Sequence, residues 1–187
     1  MPAGDKRGAA WQTRDAMHQL VLLRHAKAAR EEAGLPDRDR PLTSRGRREA
    51  AAVGAAMRDL GLVPDLVLVS PARRTTETLA ALEPWDDTPL IETLDSLYLA
   101  SEAELLATLR EVAETVRGVL VIGHNPGLHA LAATLAATPA GAPAGDAGTR
   151  LAEHFPTAAL AEFAVPGPWG RLGPGGARLL RFLTPKT

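Results

Sequence analysis

The chain contains no cysteine, which removes disulfide scaffolds, thiolate nucleophiles and Cys-ligated zinc or iron–sulfur sites together. No apolar run approaches the ~18 residues needed to span a bilayer, and the N-terminal stretch lacks a continuous apolar block of the signal-peptide kind. A cytoplasmic protein without a membrane partner is expected. A basic excess is missing too: 21 Lys and Arg stand against 22 Asp and Glu, a formal net charge of -1. Nucleic-acid binding usually rests on such an excess, so no nucleic-acid partner is expected and any anion site must be local.

What is present is ordinary globular material. The 187 residues are 45% apolar and 23% charged, enough for one sizeable core and too few for several domains. Residues 1–18 are polar, rich in small side chains and aperiodic, and are expected to form a mobile leader. Residues 19–187 are expected to form a single domain.

Along that domain, short apolar runs alternate with helical periodicity. Gln19 to Leu23 reads as a buried strand that stops at Arg24-His25. Thr43 or Ser44 caps a helix carrying Ala50, Val53, Ala56, Met57 and Leu60, with Gly61 as its stop. Leu66 to Val69 is a second strand, Arg73 to Leu82 a helix, and Leu90 to Leu94 a third strand. Ser101-x-x-Glu104 is a capping box for a helix whose face runs through Leu105, Leu109, Val112 and Val116. Val119 to Ile122 is a strand ending at Gly123-His124, and Leu128 to Ala137 is helical. Pro139 to Gly148 reads as a loop, and Thr157 to Val165 and Ala177 to Leu183 as closing strands. The fold class is therefore α/β: one three-layer domain with a mostly parallel central sheet flanked by helices.

Three apolar strands end in distinctive polar residues: Arg24-His25, Ser70 with Arg73 and Arg74 just beyond, and His124. Ligands of open α/β sheets bind outside the carboxyl ends of the strands, so these groups can share one crevice. Such a cluster is rich in donors, lacks a thiol or a serine with an obvious base, and lacks the carboxylates that hard cations require. Its natural guest is an oxyanion. Arginine's planar fork holds two phosphate oxygens at once, and a neutral imidazole can attack phosphorus to form a phosphohistidine. His124 and His129 are five residues apart, which does not stack two ligands on one helix face. No metal and no cofactor are expected.

Leu22-Leu23-Arg24-His25-Ala26 resembles the Arg-His-Gly signature of the histidine phosphatase superfamily, whose fold is phosphoglycerate mutase-like. Arg40-Pro41-Leu42-Thr43 with Gly46 is similar to its Leu-Thr-x-x-Gly segment, and Ser70 to Thr78 to its Ser-Pro-x-x-Arg-Ala-x-x-Thr segment. Val121 to Asn125 is similar to the strand bearing the second histidine. The short length and Arg-Pro-Leu-Thr make the chain most similar to the SixA branch, the phosphohistidine phosphatases. The resemblance implies His25 as the phosphorylated nucleophile, with Arg24, Arg74 and His124 on the phosphate oxygens. Register favours Arg74 over Arg73, which is left as a rim contact. Arg40 and Asn125 are candidate substrate contacts.

Two departures stand out. Ala26 replaces the signature glycine, and the family's acidic proton donor has no clean counterpart. Asp95 is the candidate by register, with Glu92 behind it. The expected function is a metal-independent phosphatase acting on a phosphohistidine-bearing protein. The alternatives are a phosphomonoesterase for a small phosphorylated metabolite and a phosphoryl-binding module without turnover.

Overall fold

The computed structural model describes residues 17–137 and 145–185; most of the expected leader and part of the expected loop at Pro139 lie outside them. A six-stranded sheet has the order β3-β2-β4-β1-β5-β6. Its strands are β1 (His18–Arg24), β2 (Leu66–Val69), β3 (Leu90–Thr93), β4 (Gly118–Gly123), β5 (Leu160–Val165) and β6 (Arg178–Leu183). β3, β2, β4 and β1 run parallel; β5 pairs antiparallel to β1, and β6 pairs antiparallel to β5 at the edge.

Side chains alternate across the sheet and divide the core in two. Leu20 and Leu22 point to one face, where they pack with Leu105, Leu109, Leu128, Leu131 and Leu151. Those residues belong to α3 (Glu102–Arg110), α4 (Gly127–Leu135) and α5 (Asp146–Glu153). Val21 and Leu23 point to the other face, beside Met57, Val67, Val69, Leu120 and Ile122. There the cover is α1 (Ser44–Asp59) and α2 (Arg73–Ala80). Each fully buried leucine contributes about 1.5–3 kcal/mol, so β1 and β4 anchor the domain from its centre. The result is the three-layer α/β architecture expected.

Local signals explain most boundaries. The Thr43 side chain accepts from the Gly46 N–H at the start of α1, and the Ser101–Glu104 capping box is complete. Several boundaries differ from expectation, three of them for a clear physical reason. β1 begins at His18, the last residue of the expected leader, because its buried ring packs on Trp169 and pairs with the Gly167 carbonyl. α3 stops at Arg110, so Val112 and Val116 pack on the core from outside the helix; β-branched residues are poor helix formers, and the chain must turn to enter β4. α5 occupies part of a stretch read as loop. It buries only Leu151, so no apolar stripe advertised it.

Candidate active site

The carboxyl ends of β1, β2 and β4 lie side by side, with β4 between the other two. Backbone pairing continues one residue past the strands: the His25 N–H donates to the Gly123 carbonyl and the Ser70 N–H to the Ile122 carbonyl, both at 3.1 Å. This sets His25, Ser70 and His124 in one row. The rings of His25 and His124 are 5.3 Å apart between centroids and inclined at 57°.

The His25 ring is oriented by its own loop. Nδ1–H donates to the Ala26 carbonyl at 2.8 Å, which leaves Nε2 as the nitrogen with a free lone pair. Burial lowers its pKa to about 4, with Arg74, Arg24 and Arg40 adding to the lowering. His25 is therefore a neutral imidazole at pH 7. Burial likewise lowers His124 to about 3, helped by His25 and Arg74. Arg74 Nη2 approaches His124 Nδ1 at 3.4 Å, so the ring proton belongs on Nε2, which donates to Ser70 Oγ at 2.7 Å. A serine thus stands beside a histidine, but not one with a base to activate it. The ring proton points at the hydroxyl, an arrangement that orients the ring rather than activating the serine.

Two arginines complete the cluster. Arg74, on the first turn of α2, is only 2% exposed. Its neighbour Arg73 has a side chain 56% exposed and is paired with Glu77. Arg24 Nη1 donates to the Phe155 carbonyl at 2.9 Å, and Asn125 Nδ2 donates to the same oxygen at 2.8 Å. The Nε groups of Arg24, Arg40 and Arg74, and Oδ1 of Asn125, are buried without a partner. Three buried, unpartnered guanidinium Nε groups thus belong to the arginines around His25, a donor-rich set whose chemistry suits an oxyanion.

Other candidates sit differently. Arg40 donates to the Ala29 carbonyl and pairs with Asp37, at the edge of the cluster. Asp95 is not brought to the histidines: the first residue of a 3-10 turn, its side chain is 84% exposed and paired with Arg38 at 2.6 Å. The turn buries Leu97 instead, and that choice points Asp95 outward. Glu92 is exposed on the edge strand β3. His129 Nε2 donates to the Leu151 carbonyl. Among the described residues no three His, Asp or Glu side chains converge on a metal site.

Several contributors were invisible as functional residues. Thr78 lies inside a recognised segment with nothing to mark it out, and Ser70, although placed at a strand end, carries no sign of its contact with His124. Asp37 stands in a polar stretch with nothing to single it out, and Tyr98, the sole tyrosine, belongs to no recognised motif. The Phe155 carbonyl has no side-chain signature at all.

Strand-end histidines and arginines thus gather on one edge of a mostly parallel α/β sheet. Residues 20–97 match the model of the histidine phosphatase superfamily, branch 1. An uncharacterized Mycobacterium tuberculosis protein, Rv1276c, is 38% identical over 164 residues, spanning 88% of this chain and 100% of that one. The structure of a candidate phosphohistidine phosphatase SixA from Nakamurella multipartitia is 32% identical, with a TM-score of 0.79 and 100% coverage of both chains. That of the protein histidine phosphatase SixA complexed with tungstate is 26% identical, with a TM-score of 0.70 over 89% of this chain and 97% of that one. A Plasmodium falciparum phosphoglycerate mutase, 14% identical with a TM-score of 0.60 over 90% of this chain and 91% of that one, shares the fold. The chain belongs to the histidine phosphatase superfamily, and its enzymatic class is that of a histidine-type phosphatase. No described helix is long and apolar enough to cross a membrane.

Proposed function

We propose that the protein hydrolyses phosphohistidine on a partner protein through a covalent phosphohistidine at His25. The observation that carries this reading is the pairing of the His25 and His124 rings at 5.3 Å beside the buried guanidinium of Arg74. Neutral His25 offers the Nε2 lone pair to phosphorus. As the P–Nε2 bond forms, the P–N bond of the substrate breaks and the electron pair returns to the leaving imidazole. That ring departs neutral when its far nitrogen carries a proton, so a general acid at the scissile nitrogen is not required. This fits a cluster from which the proton donor expected by register, Asp95, faces away into solvent. Water then attacks phosphorus, the P–Nε2 bond breaks back onto His25, and phosphate leaves with the proton lost to solvent.

Arg24 and Arg74 neutralise the equatorial oxygens in both steps, the kind of preorganised charge stabilisation that dominates phosphoryl transfer. His124 stands at a third side of the phosphoryl group, turned by Ser70. Support for the substrate comes from the likeness to proteins named SixA phosphohistidine phosphatases, one of them complexed with tungstate, a tetrahedral oxyanion.

The test is phosphoenzyme trapping with a panel of donors. A phosphohistidine protein is expected to give an acid-labile phosphoenzyme that maps to His25 and is absent from His25→Ala. Rapid turnover of a sugar or nucleotide phosphate with the phosphoprotein untouched would replace this substrate with a small metabolite. Phosphate binding without release from any donor would leave a recognition module.

A further inference from the structure

The segment between β1 and α1 is pinched at its base by the antiparallel bridge Ala28–Leu42 and by the Ala29 N–H to Pro41 carbonyl bond. Its tip, the 3-10 turn Asp37–Asp39, leans over α2. There the Asp37 carboxylate gathers three side chains from three parts of the chain. Oδ2 accepts from Arg74 Nη2 at 3.0 Å and from the Tyr98 hydroxyl at 2.5 Å, and Oδ1 meets Arg40 Nη2 at 2.7 Å. The Asp37 backbone carbonyl accepts from Arg74 Nη1 at 2.6 Å.

We propose that Asp37 is a positioning residue: it holds Arg74 by both terminal nitrogens and Arg40 by one, fixing the two guanidinium groups beside His124 and His25 for a phosphoryl group. The inference rests on the site reading above. Asp37 takes both terminal nitrogens of Arg74 while Nε of Arg74 and Nε of Arg40 stay buried and unpartnered. Without Asp37 two guanidinium groups would face each other with no anion between them, and repulsion would spread them apart. Phosphate would then have to assemble its own cradle, losing the benefit of preorganisation. Tyr98 keeps the carboxylate in place through its hydroxyl, while its ring stands edge-on to His124 at 5.7 Å. The tyrosine thus links the two halves of the cluster. The Asp37 pKa is lowered to about 2 by the Tyr98 hydrogen bond first and then by Arg74, which keeps the carboxylate charged throughout the working range.

Opposing this, loss of a negative charge makes the pocket more cationic, which alone would tighten anion binding. The two effects predict opposite signs. Calorimetric titration of tungstate into the full chain separates them, using wild type, Asp37→Ala, Asp37→Asn, Arg74→Ala and the double variant, with circular dichroism confirming the fold of each. Asp37→Ala is expected to weaken tungstate binding about tenfold in the wild-type background and less than about twofold in the Arg74→Ala background. Asp37→Asn, which retains an acceptor for Arg74, should fall between wild type and Asp37→Ala. Equal losses in both backgrounds, unchanged affinity, or tighter binding by Asp37→Ala would each overturn the proposal. So would an Arg74→Ala variant that binds tungstate as wild type does. If the Asp37 coupling is found but no donor is turned over by wild type, the hydrolytic reading fails while the role of Asp37 stands.

Discussion

The hydroxyl of Thr78 on α2 accepts the N–H of Ala26 at 3.0 Å, across 52 residues of sequence. The same hydroxyl donates to the Arg74 carbonyl at 2.6 Å, so one buried side chain ties the loop carrying His25 to the turn of helix carrying Arg74. The relative placement of imidazole and guanidinium is therefore a property of the scaffold. Thr78→Val keeps the shape but leaves the buried Ala26 N–H without its acceptor, and stability should fall by about 1–3 kcal/mol. Urea denaturation measures it, and Thr78→Ser should recover most of the loss. A Thr78→Val protein as stable as wild type would show that this bond is not what joins the two elements.

Gly46 makes the corresponding contact at the other end of the loop. A Cβ at this position would lie 2.1 Å from the Lys27 carbonyl oxygen, which is backbone and cannot swing aside. Gly46→Ala should therefore cost about 1–3 kcal/mol or more through overpacking and displace the segment between Lys27 and Thr43. Because that segment delivers Asp37 to Arg74, oxyanion affinity should weaken together with the melting temperature. Loss of stability with affinity intact would show that the segment adjusts independently of the site.

The two histidines make the free protein acid-sensitive in a defined window. Both are held neutral, His25 at about 4 and His124 at about 3, against 6.5 for an unconstrained imidazole. Between these values the unfolded chain binds more protons than the folded one, so stability is present above pH 6.5 and declines as pH falls toward 4. Each unit of displacement corresponds to about 1.4 kcal/mol, which puts the loss at a few kcal/mol once the mutual repulsion of the two rings is counted only once. Denaturant titrations from pH 7.5 to 4 should show it, and His124→Gln should flatten the profile. Saturating phosphate raises both pKa values by attraction, and the acid limb should move accordingly. A flat profile over this range would contradict the buried neutral pair.

Asp95 provides a test of proton demand. Its carboxylate is 84% exposed and engaged by Arg38, away from His25 and His124. Asp95→Asn should change kcat on a phosphohistidine substrate by less than about threefold, well short of the 10²–10⁴-fold typical of a lost general acid. A hundredfold fall would return the proton-donor role to Asp95.

Sequence alone determined the parts whose signals are contiguous. Apolar runs ending abruptly in Arg24-His25, Ser70 and His124 identified strands and placed their functional residues at the carboxyl ends. Thr43 and the Ser101–Glu104 box located helix starts, because a strand or a cap is written in neighbouring residues. Tertiary structure alone decided the contacts that bridge long separations. Asp37 meets Arg74 across 37 residues and Tyr98 across 61, and Arg24 meets the Phe155 carbonyl across 131. Such pairings depend on how loops return over the sheet, and no local periodicity encodes them. The direction of Asp95, the tautomers of the two rings and the free edge of Arg74 belong to the same category, since each is settled by which neighbour reaches the group first in the folded chain.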